Sequence, residues 1–265
     1  MTITGSLHPI SLYLRQAIAV FHGLGFEVLD SPEIVTERNN FDDLLIPPTH
    51  PARSMHDTFW LIDGRLPRTH TSAFQIPAMK DRTPPVRFVV PGRAFRNEAT
   101  DATHEIMFVN FEGVAIGEDV SLAHLKGTIQ AFLQALNGAD TEVKFVPSYF
   151  PFVEPGLEVY AKVRDRWIEM GGAGMIHPGV LKNMSVDQQK FQGFAFGFGI
   201  DRLVLLKYGI EDIRLLYSGN LRFLQQFVVH ESTDEVLSPA PARKSIRRGS
   251  APVAQAPDSF WDGVR

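Results

Sequence analysis

Residues 193–199 read Gly-Phe-Ala-Phe-Gly-Phe-Gly, an alternation with a period of two. Successive side chains of a strand point to opposite faces. Phe194, Phe196 and Phe198 therefore share one face, and Gly193, Ala195, Gly197 and Gly199 the other. The aromatic face can pack against a helix. The other is nearly bare backbone, which a ligand can approach closely. The next residues, IDRLVLL, start a helix with Arg202 in its first turn. A cation there opposes the helix dipole. It points to an anionic ligand, with a surface ion pair as the other reading. A dinucleotide fingerprint is excluded, because its third glycine would fall at 202 and no βαβ unit surrounds the segment.

A second constraint is PVRFVVPGRAFRNEATDATHEIMFVNFEGVAIG, residues 85–117. Two alternating runs flank a polar loop, which predicts a long hairpin. In its second run Met107, Val109 and Phe111 point to the core, and Phe108, Asn110 and Glu112 to the other face. An aromatic ring, an amide and a carboxylate on one face suit a binding site better than a core. Arg96, Glu98 and His104 stand at the loop, and a solvated hairpin is the plainer alternative.

Helices are expected at 9–24, with Leu14, Ile18 and Phe21 on one face, and at 121–137. The second is capped by Ser121 and stopped by Gly138, and its stripe is Leu122, Leu125, Ile129, Phe132, Leu133 and Leu136. Strands are expected at 86–97, 105–116, 142–150, 157–163 and 193–199. The fold class is α+β, an antiparallel sheet flanked by helices. Residues 31–85 have little periodicity and much Pro, His and Asp, as functional loops do. Residues 1–230 form the expected folded domain. Residues 231–265 are expected to be a disordered tail. Its RKSIRR cluster could meet RNA or lipid or simply be solvated, and Phe260 and Trp261 could dock on a partner or on the domain.

The chain has no cysteine, which removes disulfides, thiolate metal sites and a cysteine nucleophile. It has no nucleophile elbow, P-loop, apolar run of membrane length or secretory start. His50, His56, Asp57 and His70 fit no zinc spacing. The net charge of −4 gives no global basic field. The 20 phenylalanines, against 5 tyrosines, need a role. YFPFVEPG (149–156) offers Phe150, Phe152 and Glu154, either as core with a surface charge or as a clamp for an aromatic ring. RTHTSAFQ (68–75) offers His70, Ser72 and Gln75, donors and acceptors suited to an ammonium and a carboxylate.

Taken in order, these segments resemble the catalytic domain of the class II aminoacyl-tRNA synthetases, and within it the bacterial phenylalanyl-tRNA synthetase α subunits. The resemblance runs from His8 to about Phe227. GFEVLDSPEI resembles motif 1, FRNE with TDATHEIMF motif 2, and GFGIDRL motif 3. NNFDDLL, HPAR, DTFWL, RTHTS, YFPFVEP and GGAGMIHPGVL narrow the match to this one synthetase.

The resemblance implies activation of L-phenylalanine by ATP and transfer to tRNA(Phe), by a cytoplasmic α₂β₂ complex with a β subunit. It implies that Arg96 and Arg202 are catalytic and bind ATP with Glu98, His104 and Phe108. It implies an amino-acid pocket of His70, Ser72, Gln75, Asn110, Glu112, Phe150, Phe152, Val153, Ala173, Ala195 and Gly197. Mg²⁺ is the implied cofactor, with Glu154 as its ligand and Glu112 as a second candidate near it. Three departures stand out. The family's coiled-coil arm is expected to be absent before the domain, Asn110 replaces the usual Gln, and the long tail is atypical. The alternatives are a paralogue that makes an adenylate for another acceptor, and an inactive amino-acid sensor or interaction subunit.

Overall fold

A computed structural model describes residues 7–163 and 165–227 of the chain. The tail expected at 231–265, with its RKSIRR cluster, Phe260 and Trp261, lies outside the described residues. The strands are β1 (Glu27–Val28), β2 (Ile34–Val35), β3 (Leu66–Pro67), β4 (Val86–Phe95), β5 (Met107–Gly117), β6 (Val143–Phe150), β7 (Val153–Val163), β8 (Arg166–Ile176) and β9 (Gln192–Gly199). The α-helices are α1 (Pro9–Gly23), α2 (Glu37–Asn40), α3 (Gln75–Met79), α4 (Leu122–Asn137), α5 (Pro178–Asn183), α6 (Ile200–Tyr208), α7 (Arg214–Tyr217) and α8 (Leu221–Leu224).

The main sheet has seven strands in the order β1-β4-β5-β9-β8-β7-β6. All neighbours pair antiparallel except the short edge strand β1, which runs parallel to β4. The sheet is therefore antiparallel as the sequence predicted, with one short parallel pair added at its edge. The hairpin expected at 85–117 is β4 and β5, with Val90 opposite Glu112, Gly92 opposite Asn110 and Ala94 opposite Phe108.

One core lies on each face of the sheet. Behind it, α1, α4 and α6 pack on Phe194, Phe196 and Phe198, each at most 2% exposed. Phe21 joins Phe132 at 4.7 Å and Phe196 at 5.2 Å between ring centroids, and Phe132 meets Phe198 at 5.6 Å. Each such pair contributes about 0.5–1.5 kcal/mol beyond its buried area. Much of the phenylalanine surplus is this cluster. The α4 stripe from Leu125 to Leu136 is buried as its periodicity predicts, with Leu122 half-buried at its edge, and Ser121 accepts the His124 N–H at the helix start.

On α1 the buried face differs from the expected one. Ile10, Tyr13, Ala17 and Phe21 are buried, and Leu14 and Ile18 flank them. Ala17 supplies the small side chain that lets the helix sit close, a preference that hydrophobicity alone does not express.

On the front face, residues 31–85 fold into short helices and the β2–β3 pair and form the second core with α5. This is the irregular stretch that the sequence marked as functional. Strand β8 was not expected, because its Gly-Gly-Ala-Gly run carries little β signal, and β7 begins at Val153 rather than at 157. The β7–β8 ladder carries two bulges, one between Val153 and Gly156 and one between Val159 and Tyr160. Gly171 sits against β9 at φ +159°, and a Cβ there would lie 2.0 Å from the Gly197 carbonyl oxygen. No rotamer relieves a clash with backbone. Gly171→Ala is expected to cost about 3 kcal/mol or more, read as a lowered urea midpoint or loss of soluble protein.

Candidate active site

The front face of the sheet opens into a cavity of about 710 Å³. Its floor is β5, β9 and β8, its roof the segment 69–75, and its rim the loop 96–106 and the start of α6. The alternation in β9 places Ala195 and Gly197 in this floor while the phenylalanines face the rear core. Gly197 makes room for a neighbour, since a Cβ there would lie 3.1 Å from Glu112 Cγ.

The polar end is built around Glu112, 5% exposed. Its Oε2 accepts from Ser72 Oγ and, at 3.1 Å, from Gln75 Nε2. Its Oε1 accepts from Asn110 Nδ2 at 2.8 Å. Asn110 also donates to Thr71 Oγ1 at 3.3 Å. Burial pushes the Glu112 carboxyl above its ordinary pKa, and these hydrogen bonds act against that shift. The sequence assigned Asn110 and Glu112 to a non-core face. They do face the cavity, yet both are buried, because residues 69–75 arrive from elsewhere in the chain to cover them.

His70 lies beside them, with neither ring nitrogen hydrogen-bonded among the described residues. Burial, with Arg96 and Arg68 nearby, lowers its pKa to about 3, so it is neutral at pH 7. Its neighbour Thr69 is clamped by Asn40, which donates to Thr69 Oγ1 at 2.9 Å and accepts the Thr69 N–H at 3.2 Å. Arg68 is 2% exposed and donates to the carbonyls of Arg93 at 2.7 Å and Pro32 at 3.1 Å.

The ring end is apolar. Phe150 and Phe152 stack at 5.9 Å, and Val153, Ala173 and Ala195 complete the wall. The Phe150 ring lies over Gly172, where a Cβ would be 3.0 Å from it. The sequence placed Phe150, Phe152 and Glu154 on one strand face. Instead, Phe150 ends β6, Phe152 lies in the turn and Glu154 is in β7. The Glu154 side chain is 76% exposed, 3.6 Å from His177 Nε2, and is not among the residues lining the cavity.

The other end is cationic. The Arg96 guanidinium lies 5.0 Å from the Phe108 ring centre, donates to the Thr69 carbonyl at 3.3 Å and is 3.7 Å from Glu98. Arg202 faces Glu169 at 3.8 Å and is half-exposed. Asp101 organises the loop, accepting from the Thr103 and His104 N–H groups at 2.7 and 2.8 Å. His104 Nδ1 lies 3.1 Å from the same carboxylate. These hydrogen bonds hold the Asp101 pKa well below the usual carboxylate range.

The structure thus gathers His70, Ser72, Gln75, Arg96, Glu98, His104, Phe108, Asn110, Glu112, Phe150, Phe152, Val153, Ala173, Ala195, Gly197 and Arg202 around one cavity, with Glu154 outside it. Sequence reasoning missed Glu169 and Asp201. Glu169 lies on β8, whose glycine-rich run masks the strand pattern, and Asp201 reads from sequence as an ordinary first-turn acid of α6.

Among the described residues no three His, Asp or Glu side chains form a metal cluster. A hard divalent cation that rides on phosphate oxygens needs only one or two protein carboxylates. Glu98, Glu105 and Glu169 on the cavity wall fit that donor set.

Comparison with known proteins identifies the family to which this fold belongs. The family model for the class II core domain of tRNA synthetases, type F, matches residues 1–227. Phenylalanine–tRNA ligase alpha subunits are similar over 84% of this chain and 68% of their own length. The one from Neisseria meningitidis serogroup A is 47% identical over 227 residues, and that from Xylella fastidiosa 46% over 228. Among solved structures, pyrrolysyl-tRNA synthetase from Desulfitobacterium hafniense aligns with a TM-score of 0.64 at 18% identity, covering 78% of this chain and 72% of that one. The chain belongs to the class II core-domain family of tRNA synthetases and, within it, to the phenylalanine–tRNA ligase alpha subunits.

Proposed function

We propose that this chain is the catalytic subunit of a phenylalanine–tRNA ligase, working with a β subunit in an α₂β₂ complex in the cytoplasm. One observation carries the substrate choice. A single cavity joins a buried carboxylate ringed by donors, an aromatic pocket without polar side chains, and two arginines at its rim.

The phenylalanine ammonium is placed against Glu112, with His70, Ser72 and Gln75 around it, and the ring between Phe150 and Phe152. Adenine lies between the Phe108 ring and the Arg202 guanidinium, whose planar fork can both stack and bind phosphate. Glu98 and His104 line the ATP side. Arg96 meets the α-phosphate and the substrate carboxylate. A carboxylate oxygen then attacks the α-phosphorus in line, the bond to the β-phosphate breaks, and pyrophosphate leaves. The residues position the partners and stabilise the developing charge, so no protein nucleophile is needed. Glu169, with Glu98, would hold Mg²⁺ on the triphosphate, where the ion offsets phosphate charge. A cation at Glu154 would sit outside the cavity. Transfer to the terminal ribose hydroxyl of tRNA(Phe) then releases AMP.

Tyrosine would bring its hydroxyl to a wall of Val153, Ala173, Phe150 and Phe152, where it loses its water without gaining a side-chain partner. Such a pocket discriminates only about 10²-fold against an added hydroxyl. Ala195→Gly removes one Cβ from this wall. It is expected to improve kcat/KM for para-chlorophenylalanine by about tenfold over the parent. Unchanged rejection of that analogue would place Ala195 away from the ring.

The reading is tested by charging. The complex with its β subunit should attach phenylalanine to tRNA(Phe). Adenylate formation without charging of any tRNA would assign the adenylate to another acceptor.

A further inference from the structure

We infer that Asp201 is a positioning residue that sets the width of the nucleotide end of the cavity and ties it to the loop 96–106. The argument starts from the β5–β9 ladder. Its last pair is Asn110 with Gly199, because β9 turns into α6 at Ile200. The next β5 amide, Val109 N–H, has no strand left to meet. It donates instead to Asp201 Oδ2 at 2.6 Å. One side chain therefore adds a rung where the backbone ladder has ended.

That rung joins two neighbours of the nucleotide site. Val109 stands next to Phe108 on β5, and Asp201 stands next to Arg202 on α6. The bond between 109 and 201 fixes the separation of the backbones that carry the ring and the guanidinium. The other oxygen, Oδ1, accepts from the Tyr217 hydroxyl. Tyr217 ends α7, and the segment leading into α7 holds the rim loop through Ile213 N–H to the Ala102 carbonyl at 2.9 Å. His8 anchors α7 itself, with Nε2 2.7 Å from the Leu216 carbonyl oxygen.

Asp201 is 2% exposed. A carboxylate so buried is costly unless each oxygen is satisfied, and here one oxygen holds β5 and the other holds α7. Asp201 thereby links β5, the start of α6 and α7, whose lead-in holds the rim loop. The inference rests on the reading that adenine lies between Phe108 and Arg202, and the experiment separates the two.

Pyrophosphate exchange by the complex with its β subunit is measured for Asp201→Ala, Asp201→Asn, Tyr217→Phe and Phe108→Ala, varying ATP and phenylalanine separately. Loss of a buried hydrogen bond to a charged group predicts a KM for ATP raised about tenfold in Asp201→Ala and about threefold in Tyr217→Phe. The KM for phenylalanine should stay within about twofold, since Glu112 and its donors keep their partners. Asp201→Asn keeps one acceptor for Val109 and should fall between the parent and Asp201→Ala. Equal shifts of both KM values, or none, would overturn the inference. If Asp201→Ala does not fold, the conservative Tyr217→Phe decides by the same split. If Phe108→Ala also leaves the KM for ATP unchanged, the adenine site itself is wrongly placed. If Phe108→Ala raises it and the Asp201 and Tyr217 variants do not, only the role of Asp201 fails.

Discussion

Arg202→Ala lowers phenylalanine-dependent pyrophosphate exchange by about 10³-fold, because one side chain both stacks on adenine and holds the triphosphate in line for attack. The fold should hardly notice. Arg202 is half-exposed, and its closest carboxylate, Glu169, is 3.8 Å away. Surface substitutions of this kind change stability by about 0.5 kcal/mol or less. Arg202→Lys keeps the charge but loses the planar fork, so it should recover only part of the activity. A thermal midpoint within a few degrees of the parent, with exchange lost, locates the effect in the site. Near-normal exchange by Arg202→Ala would show that the assignment of GFGIDRL to motif 3 is wrong.

Glu112→Gln separates binding from stability. Without its charge the polar end no longer balances a substrate ammonium, and phenylalanine affinity should fall about 10²-fold or more. The empty domain should become more stable at neutral pH. Burial raises the Glu112 pKa in the folded state above its unfolded value. The stability it contributes is present in acid and is lost as pH rises through the raised value. At pH 7 the buried charge therefore opposes folding. The neutral amide is expected to raise stability by about 1 kcal/mol, with Asn110 turning its oxygen toward the new NH₂. The same shift predicts that phenylalanine binding weakens on acidification sooner than an ordinary carboxylate would cause. Equal denaturation midpoints for both proteins across pH would mean that Glu112 is not a buried charge.

The parts of the site legible in the sequence were those written with period two. Alternation in 193–199 and 107–112 assigned Phe196 to the rear core and Ala195, Gly197 and Glu112 to the front before any coordinates. The α4 stripe was equally plain. What stayed hidden depended on long-range closure. Burial of Asn110 and Glu112 comes from Ser72 and Gln75, about forty positions earlier in the chain. Strand β8 is interrupted by a glycine-rich run that fits where side chains would collide, as at Gly171, and that run breaks the alternation between Met170 and Met175. Glu169 was lost with it. The exposed position of Glu154 follows from the turn between β6 and β7, which interrupts the parity that had grouped it with Phe150.

The central claim is that this cavity activates phenylalanine. Exchange of labelled pyrophosphate into ATP, run on the complex with its β subunit and with each amino acid in turn, tests it most directly. Exchange should depend on phenylalanine, be weak with tyrosine, and fall about 10³-fold in Arg202→Ala. No phenylalanine-dependent exchange by a folded complex, or equal exchange with an amino acid lacking an aromatic ring, would contradict the account.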